Sequence, residues 1–166
     1  ISAPSNTNIV PDAFTFLGLI NTSGTKVEKI ERYNRTSGIV QTAFFNGSGI
    51  ASGDNFPIVA GEGLVIYLKE DMDIGLSQNK CPKFNLKTGV NWAGTPCQTV
   101  NASAFTLLNA IGDESFVSSI QRYNTETGKF ETAGYLNGQT TGVNFPIRVG
   151  DGYFIYMKKD ATGFQP

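Results

Sequence analysis

A mainly β fold with two short helices, built from two copies of one pattern, follows from three features of the sequence. Asn55–Glu70, "NFPIVAGEGLVIYLKE", returns as Asn144–Lys159, "NFPIRVGDGYFIYMKK", with nine identities in sixteen positions. Upstream, "IERYNRTSGIVQTAF" from Ile30 returns as "IQRYNTETGKFETAG" from Ile120 with seven identities in fifteen, and "AFTFLGLI" from Ala13 as "AFTLLNAI" from Ala104. The offset drifts from 91 to 90 to 89, as single-residue loop changes produce when an ancestral unit duplicates.

In order along each copy, a helix comes first. Ala104, Leu107, Leu108 and Ile111 make an apolar stripe at helical spacing, as do Ala13, Phe16, Leu17 and Ile20. Asn101 or Ser103 suits the second cap, Gly112 its end, and Pro11 the first turn of the first helix. Phe14 and Phe105 lie off the stripes, so each helix is expected to be covered on more than one side. "VEKIERYN" and "VSSIQRYN" read as strands, "NRTSG" and "NTETG" as turns, and "IVQTAFF" and "KFETAGYL" as returning strands. The last strands, Leu64–Leu68 and Tyr153–Met157, are apolar without alternation, which predicts cover on both faces.

An 80-residue copy would leave one sheet face bare. The expectation is therefore a single duplicated domain over 1–166, with repeats at about 1–79 and 80–166, arranged as a pseudo-twofold β-barrel or two packed sheets. Two small modules joined near 75–84 are the alternative. "ISAPSNTNIV" aligns with "NWAGTPCQTV", placing Pro4 opposite Pro96, but the lead-in "FNLKTGVNW" has no counterpart in copy one. An unpaired strand edge near Ile1 is expected.

Composition narrows the function. A net charge of −1 with scattered Lys and Arg gives no footprint for nucleic acid, and no run is apolar enough for a membrane-spanning helix. No His is present, which excludes imidazole acid–base chemistry and His-ligated zinc. Cys81 and Cys97 suit a disulfide across a segment rich in Gly and Pro, with two buried thiols as the alternative; the bridge would place the chain in an oxidising, extracellular or cell-surface setting. Only 16% of residues are charged, so Asn, Thr, Ser and Gly must provide the polar surface, which suits the same setting.

Several residue groups invite a chemical reading. The Gly-acid-Gly triplets Gly61-Glu62-Gly63 and Gly150-Asp151-Gly152 suit tight turns whose carboxylates accept backbone N–H groups. In Arg32-Tyr33-Asn34 and Arg122-Tyr123-Asn124, Tyr and Arg point to opposite faces, and each Arg is expected to reach a carboxylate, Glu62 or Asp151; that these polar and aromatic groups line a surface groove is the alternative. Asp71 and Asp73 are weak candidates for a surface calcium, with Asp54 as helper and a solvated loop as the alternative. For carbohydrate, the candidates are Trp92, Phe45, Tyr135 and Tyr153 as stacking rings, with Asn46, Asn91 and Asn137 to bond hydroxyls; a core position is the alternative for Trp92. Asn21, Asn34, Asn46 and Asn101 open glycosylation triplets that matter only if a eukaryote secretes the chain.

The segments Gly89–Pro96, Arg122–Gly128 and Phe145–Tyr153 resemble the tandem β-rich repeat modules found near the ends of large secreted or cell-surface bacterial proteins. Copy one keeps Arg32–Gly38 and Phe56–Gly63, lacks the full opening strand, and has Leu64 where an aromatic is usual. The resemblance implies a non-catalytic extracellular structural or adhesion module, partnered by other domains or subunits of a surface assembly. The competing expectation is a carbohydrate-binding module for polysaccharide, distinguished by a row of exposed rings that includes Trp92.

Overall fold

The computed structural model describes residues 1–3, 9–21, 25–75, 81–95, 97 and 102–165. Helix α1 (Ala13–Ile20) precedes strands β1 (Val27–Asn34), β2 (Ile39–Phe45), β3 (Ala51–Gly53) and β4 (Val65–Leu68). Copy two contributes β5 (Phe84–Leu86), β6 (Gly89–Gly94), helix α2 (Ala104–Ile111), β7 (Val117–Asn124), β8 (Lys129–Leu136), β9 (Gln139–Gly142), β10 (Gly152–Met157) and β11 (Ala161–Phe164). The strands form antiparallel sheets in the orders β3-β2-β1-β4 and β6-β10-β7-β8-β9, with β11-β5 as a small third sheet. The fold is thus mainly β with two short helices. Among the described residues the sheets do not close into a barrel, because the strand orders end in free edges rather than meeting.

Each helix lies on its own sheet and each copy has its own core. Phe16 and Leu17 of α1 pack with Val27, Ile30 and Ala43, while Leu107 and Leu108 of α2 pack with Val117, Ile120 and Ala133. Phe14 and Phe105 are partly buried against these clusters. The Ser103 hydroxyl caps α2 by accepting from Thr106 N–H, and Thr106 returns the bond to Ser103 N–H at 2.7 Å. In α1 the cap is Asp12, which accepts from Thr15 N–H at 2.9 Å. Pro11 therefore precedes the cap rather than sitting in the first turn; its carbonyl accepts Ile58 N–H.

The repeated words are explained by what they hold. Asn55 and Asn144 each accept a helix N–H, from Phe14 and Phe105, both at 3.0 Å. Phe56 and Phe145 accept Ala13 and Ala104 N–H through their carbonyls, both at 2.8 Å. Their rings are buried, with the Arg32 and Arg122 guanidinium groups above them at 5.3 and 4.9 Å. Asn34 and Asn124 close their hairpins by accepting from Thr36 and Ser37, and from Glu126 and Thr127. Val59–Glu62 and Arg148–Asp151 are turns whose third residues, Gly61 and Gly150, stand at φ 85° and 88°, which an L side chain rarely adopts.

The last strands depart from their apolar pattern. In β10 burial alternates, with Tyr153, Ile155 and Met157 inside; in copy one Tyr67 and Leu68 are 39% and 42% exposed. Cover on both faces was the expectation. One face of each strand packs on the helix-covered core, and among the described residues no layer from the other copy covers the outer face.

Candidate functional site

The two copies meet through the turns that carry the acids. Ser2 N–H donates to Gly150 O at 2.7 Å, and Gly94 N–H donates to Gly61 O at 2.9 Å. Ala3 N–H donates to Glu62 O at 2.8 Å, and Thr95 N–H to Asp151 O at 3.2 Å. In the repeat alignment these are the same bonds made twice, with Ile1–Ala3 in the role of Ala93–Thr95. Gly63 and Gly152 permit the approach: a Cβ would come within 2.9 Å of Ala93 N in the first case and 2.6 Å of Ile1 O in the second.

The equivalence stops at Ile1. Along β10 the ladder to β6 runs from Gly152–Gly94 through to Met157–Gly89. In copy one, Ser2 pairs with Gly63 and Ile1 exchanges two 2.8 Å bonds with Leu64. Beyond Leu64, β4 pairs only with β1 among the described residues. Strand alternation turns Val65 and Tyr67 toward β1, so the N–H and C=O groups of Ile66 and Leu68 face outward. This is the free edge expected near Ile1.

That edge borders a cleft of about 930 Å³ whose other wall is the outer face of the second sheet. Trp92 lies edge-to-face on Phe154 (5.3 Å), Phe154 on Phe130 (5.7 Å), and Phe130 on Tyr123 (5.3 Å), while Tyr33 of copy one meets Trp92 at 6.1 Å. Phe130 and Tyr123 are 58% and 52% exposed. Arg122, Glu126, Arg148 and Asp151 add polar groups to the same cleft.

Of the rings and amides expected to meet a sugar, only Trp92 and Tyr153 line the cleft. Tyr153 is buried, stacked on Phe145 and bonded through its hydroxyl to Arg148 N–H and Asp151; burial, first, holds its hydroxyl pKa well above the usual value. Phe45 packs against the first core. Tyr135 donates to Asn109 and the Gly112 carbonyl beneath α2. Asn46 and Asn137 sit in exposed turns, and Asn91 is fully buried. Phe130 and Phe154 were missed; their signal was alternation, since each falls on the strand face opposite Ala133 or Ile155. Tyr123 lines the cleft together with Arg122 and Asn124, the surface groove given as the alternative for that triplet.

Asn91 ties the copies together. Its Nδ2 donates to Lys87 O (2.6 Å), Gly89 O (3.2 Å) and Ile155 O (3.4 Å); its Oδ1 accepts from Lys87 N–H (2.8 Å) and from Arg35 of copy one (3.2 Å). Asn91→Ala leaves several of these groups unmatched, and a loss of about 1–3 kcal/mol in unfolding free energy is expected by urea titration. A change within error would show that water replaces the amide.

Glu62 meets Arg32 as expected, but neither acid takes the role in its turn that the sequence suggested. Glu62 accepts from Arg32 Nη1 at 3.3 Å and pairs with Arg35 at 3.6 Å rather than taking turn N–H groups; burial raises its carboxyl pKa against the pull of both arginines. Asp151 takes the Tyr153 hydroxyl instead. Arg122 meets Glu131 at 2.6 Å, not Asp151, because Glu131 is directly across the hairpin from it. The bonds from Asn124 and then Arg122 hold the Glu131 pKa below its usual value.

Asp71 and Asp73 are exposed, Asp54 is spent on Thr42 N–H, and the described residues contain no group of three His, Cys, Asp or Glu placed to hold a metal. Cys81 and Cys97 form the disulfide. Of the glycosylation triplets, Asn21 is buried and bonded to Lys26 and Val27, Asn34 and Asn46 serve their turns, and Asn101 lies outside the described residues. No described helix is long and apolar enough to cross a membrane. Comparison with protein-family models, curated proteins and solved structures finds no match to this chain.

Proposed function

We propose that the chain is a non-catalytic structural or adhesion module of a larger extracellular or cell-surface assembly, and that it joins its neighbours through the outer edge of β4. The observation that supports this reading is the contrast between twins among the described residues: β10 carries β6 along its edge, and the outer edge of β4 meets Ile1 and Ser2 at one end. A free edge is a template for strand addition, and natural proteins usually blunt such edges. The disulfide suits an oxidising setting, and the lack of His removes the commonest general base.

Amide hydrogen exchange tests the premise. In dilute protein, Ile66 and Leu68 are expected to exchange much faster than Val65 and Tyr67, which face β1. Equal protection of all four would mean the edge is already covered, and the reading would fall.

A second reading rests on the ring row. Trp92, Phe154, Phe130 and Tyr123 form a continuous aromatic wall with polar groups beside it, which suits stacking on a polysaccharide. Trp92 is the chain's one tryptophan. Saturable quenching of its fluorescence by a polysaccharide, reduced in Phe130→Ala, is the expected result; silence across a broad panel would eliminate this reading.

A further inference from the structure

We propose that Asn137 is a self-modification site, at which the side-chain amide is converted to an acid through attack by the Gly138 nitrogen, and that Glu114 restrains the reaction by holding the Gly138 N–H. The chemistry needs no partner and no co-reactant except water.

The sequence holds two Asn-Gly pairs, Asn46-Gly47 between β2 and β3 and Asn137-Gly138 between β8 and β9. Glycine has no side chain to shield its nitrogen from the carboxamide before it. The two tips are built differently. Asn46 Oδ1 accepts Ser48 N–H and Ile50 N–H, both at 3.0 Å, so its carboxamide is pinned inside its own turn. Asn137 and Gly138 make up the whole two-residue turn between Leu136 and Gln139, at φ 52° and 77°. Asn137 is the one described residue other than glycine at positive φ. It is exposed, and among the described residues its carboxamide has no hydrogen-bond partner.

The attacking nitrogen is held from outside the turn. Gly138 N–H donates to Glu114 Oε2 at 2.7 Å, from the connection between α2 and β7. In the reaction the Gly138 nitrogen gives its proton to solvent and bonds to Asn137 Cγ. The Cγ–Nδ2 bond breaks and ammonia leaves, which closes a five-membered imide. Water then opens the imide at either carbonyl and leaves aspartate or isoaspartate. One water enters, one ammonia departs, and nothing is oxidised or reduced.

Two roles are open to Glu114, base or restraint, and its charge decides between them. A carboxylate is too weak a base to strip a peptide N–H. Its negative charge, however, opposes the anion that must form on the nitrogen it touches. The charge-assisted bond also holds the turn closed. Conversion to isoaspartate adds a methylene to the backbone at the turn. The Leu136–Gln139 register cannot survive that insertion, so β9, the edge strand of its sheet, is released from β8.

The test incubates the whole chain in mildly alkaline buffer and follows each amide by peptide-mapping mass spectrometry. Asn137 is expected to become acid well before Asn46, with isoaspartate at 137 detected by an isoaspartyl methyltransferase. Amides of β9 should exchange faster in the converted chain. Glu114→Ala should speed conversion about threefold to tenfold, the worth of one hydrogen bond at an exposed turn. Glu114→Gln, which keeps an acceptor and loses the charge, should fall between that variant and the unaltered chain. Asn137→Gln should abolish the early product, since its longer side chain cannot close the same ring. Conversion of Asn46 first, slower conversion in Glu114→Ala, or an early product that persists in Asn137→Gln would each overturn the proposal.

Discussion

Phe145→Ala is expected to lower the unfolding free energy by about 3–5 kcal/mol, a large part of the stability of an ordinary domain. The ring is 2% exposed, lies parallel to Tyr153 at 6.1 Å, and sits beneath the Arg122 guanidinium. Its removal takes away the transfer free energy of a whole benzyl group and leaves a cavity beside a cation. The neighbours cannot close over it, because the Phe145 carbonyl anchors α2 through Ala104 N–H and the next residue but one, Ile147, bonds Ala102 O. Phe56→Ala in copy one is expected to fall in the same range, its ring being 1% exposed under Arg32. Both variants should shift a single cooperative urea transition, since backbone bonds and the Arg35–Asn91 contact cross between the copies. Two transitions, each moved by only one variant, would show that the copies unfold as separate beads.

The second large effect is on pH. The Ile1 amine of this chain is buried, and desolvation lowers its pKa from 8.0 to about 6, with Asp151 opposing. Between these values the unfolded chain holds a proton that the folded chain does not. Stability therefore rises with pH from about 6 to about 8 and is lost as pH falls back through that window. Two units correspond to about 2–3 kcal/mol. With no His in the sequence, no imidazole titrates in this range. Glu62 acts in the opposite sense, because burial raises its carboxyl pKa and its ionisation costs stability as pH rises. Thermal or urea unfolding at pH 6, 7 and 8 should show the rise, and acetylation of Ile1 should flatten it. A flat profile in the unmodified chain would mean that Ile1 leaves its place against Leu64.

Much of the architecture was legible in the residues. Stripes at three- and four-residue spacing placed both helices within a residue or two, and Gly38 and Gly128 marked both hairpin turns, at φ 69° and 65°. Duplication was legible because copies of one unit keep the same hydrogen-bonding words, Asn-Phe-Pro-Ile and Arg-Tyr-Asn, each of which anchors backbone. The site was far less legible. The candidate rings were chosen by type and by neighbouring glycines, and neither says which face of a strand meets the core. Phe154 and Tyr156 read as buried in an unbroken apolar run, yet they lie on the outer face of β10, alternating with Tyr153, Ile155 and Met157.

The amino-acid order by itself determined two helix-on-sheet units, their turns and the likeness between them, because periodicity and backbone-capping side chains act over a few residues. Only the tertiary structure decided which acid each arginine met, which rings formed a wall, and which turns join the two copies. Those outcomes depend on how two distant stretches approach across a pseudo-twofold seam, where Gly63 and Gly152 permit backbone contact.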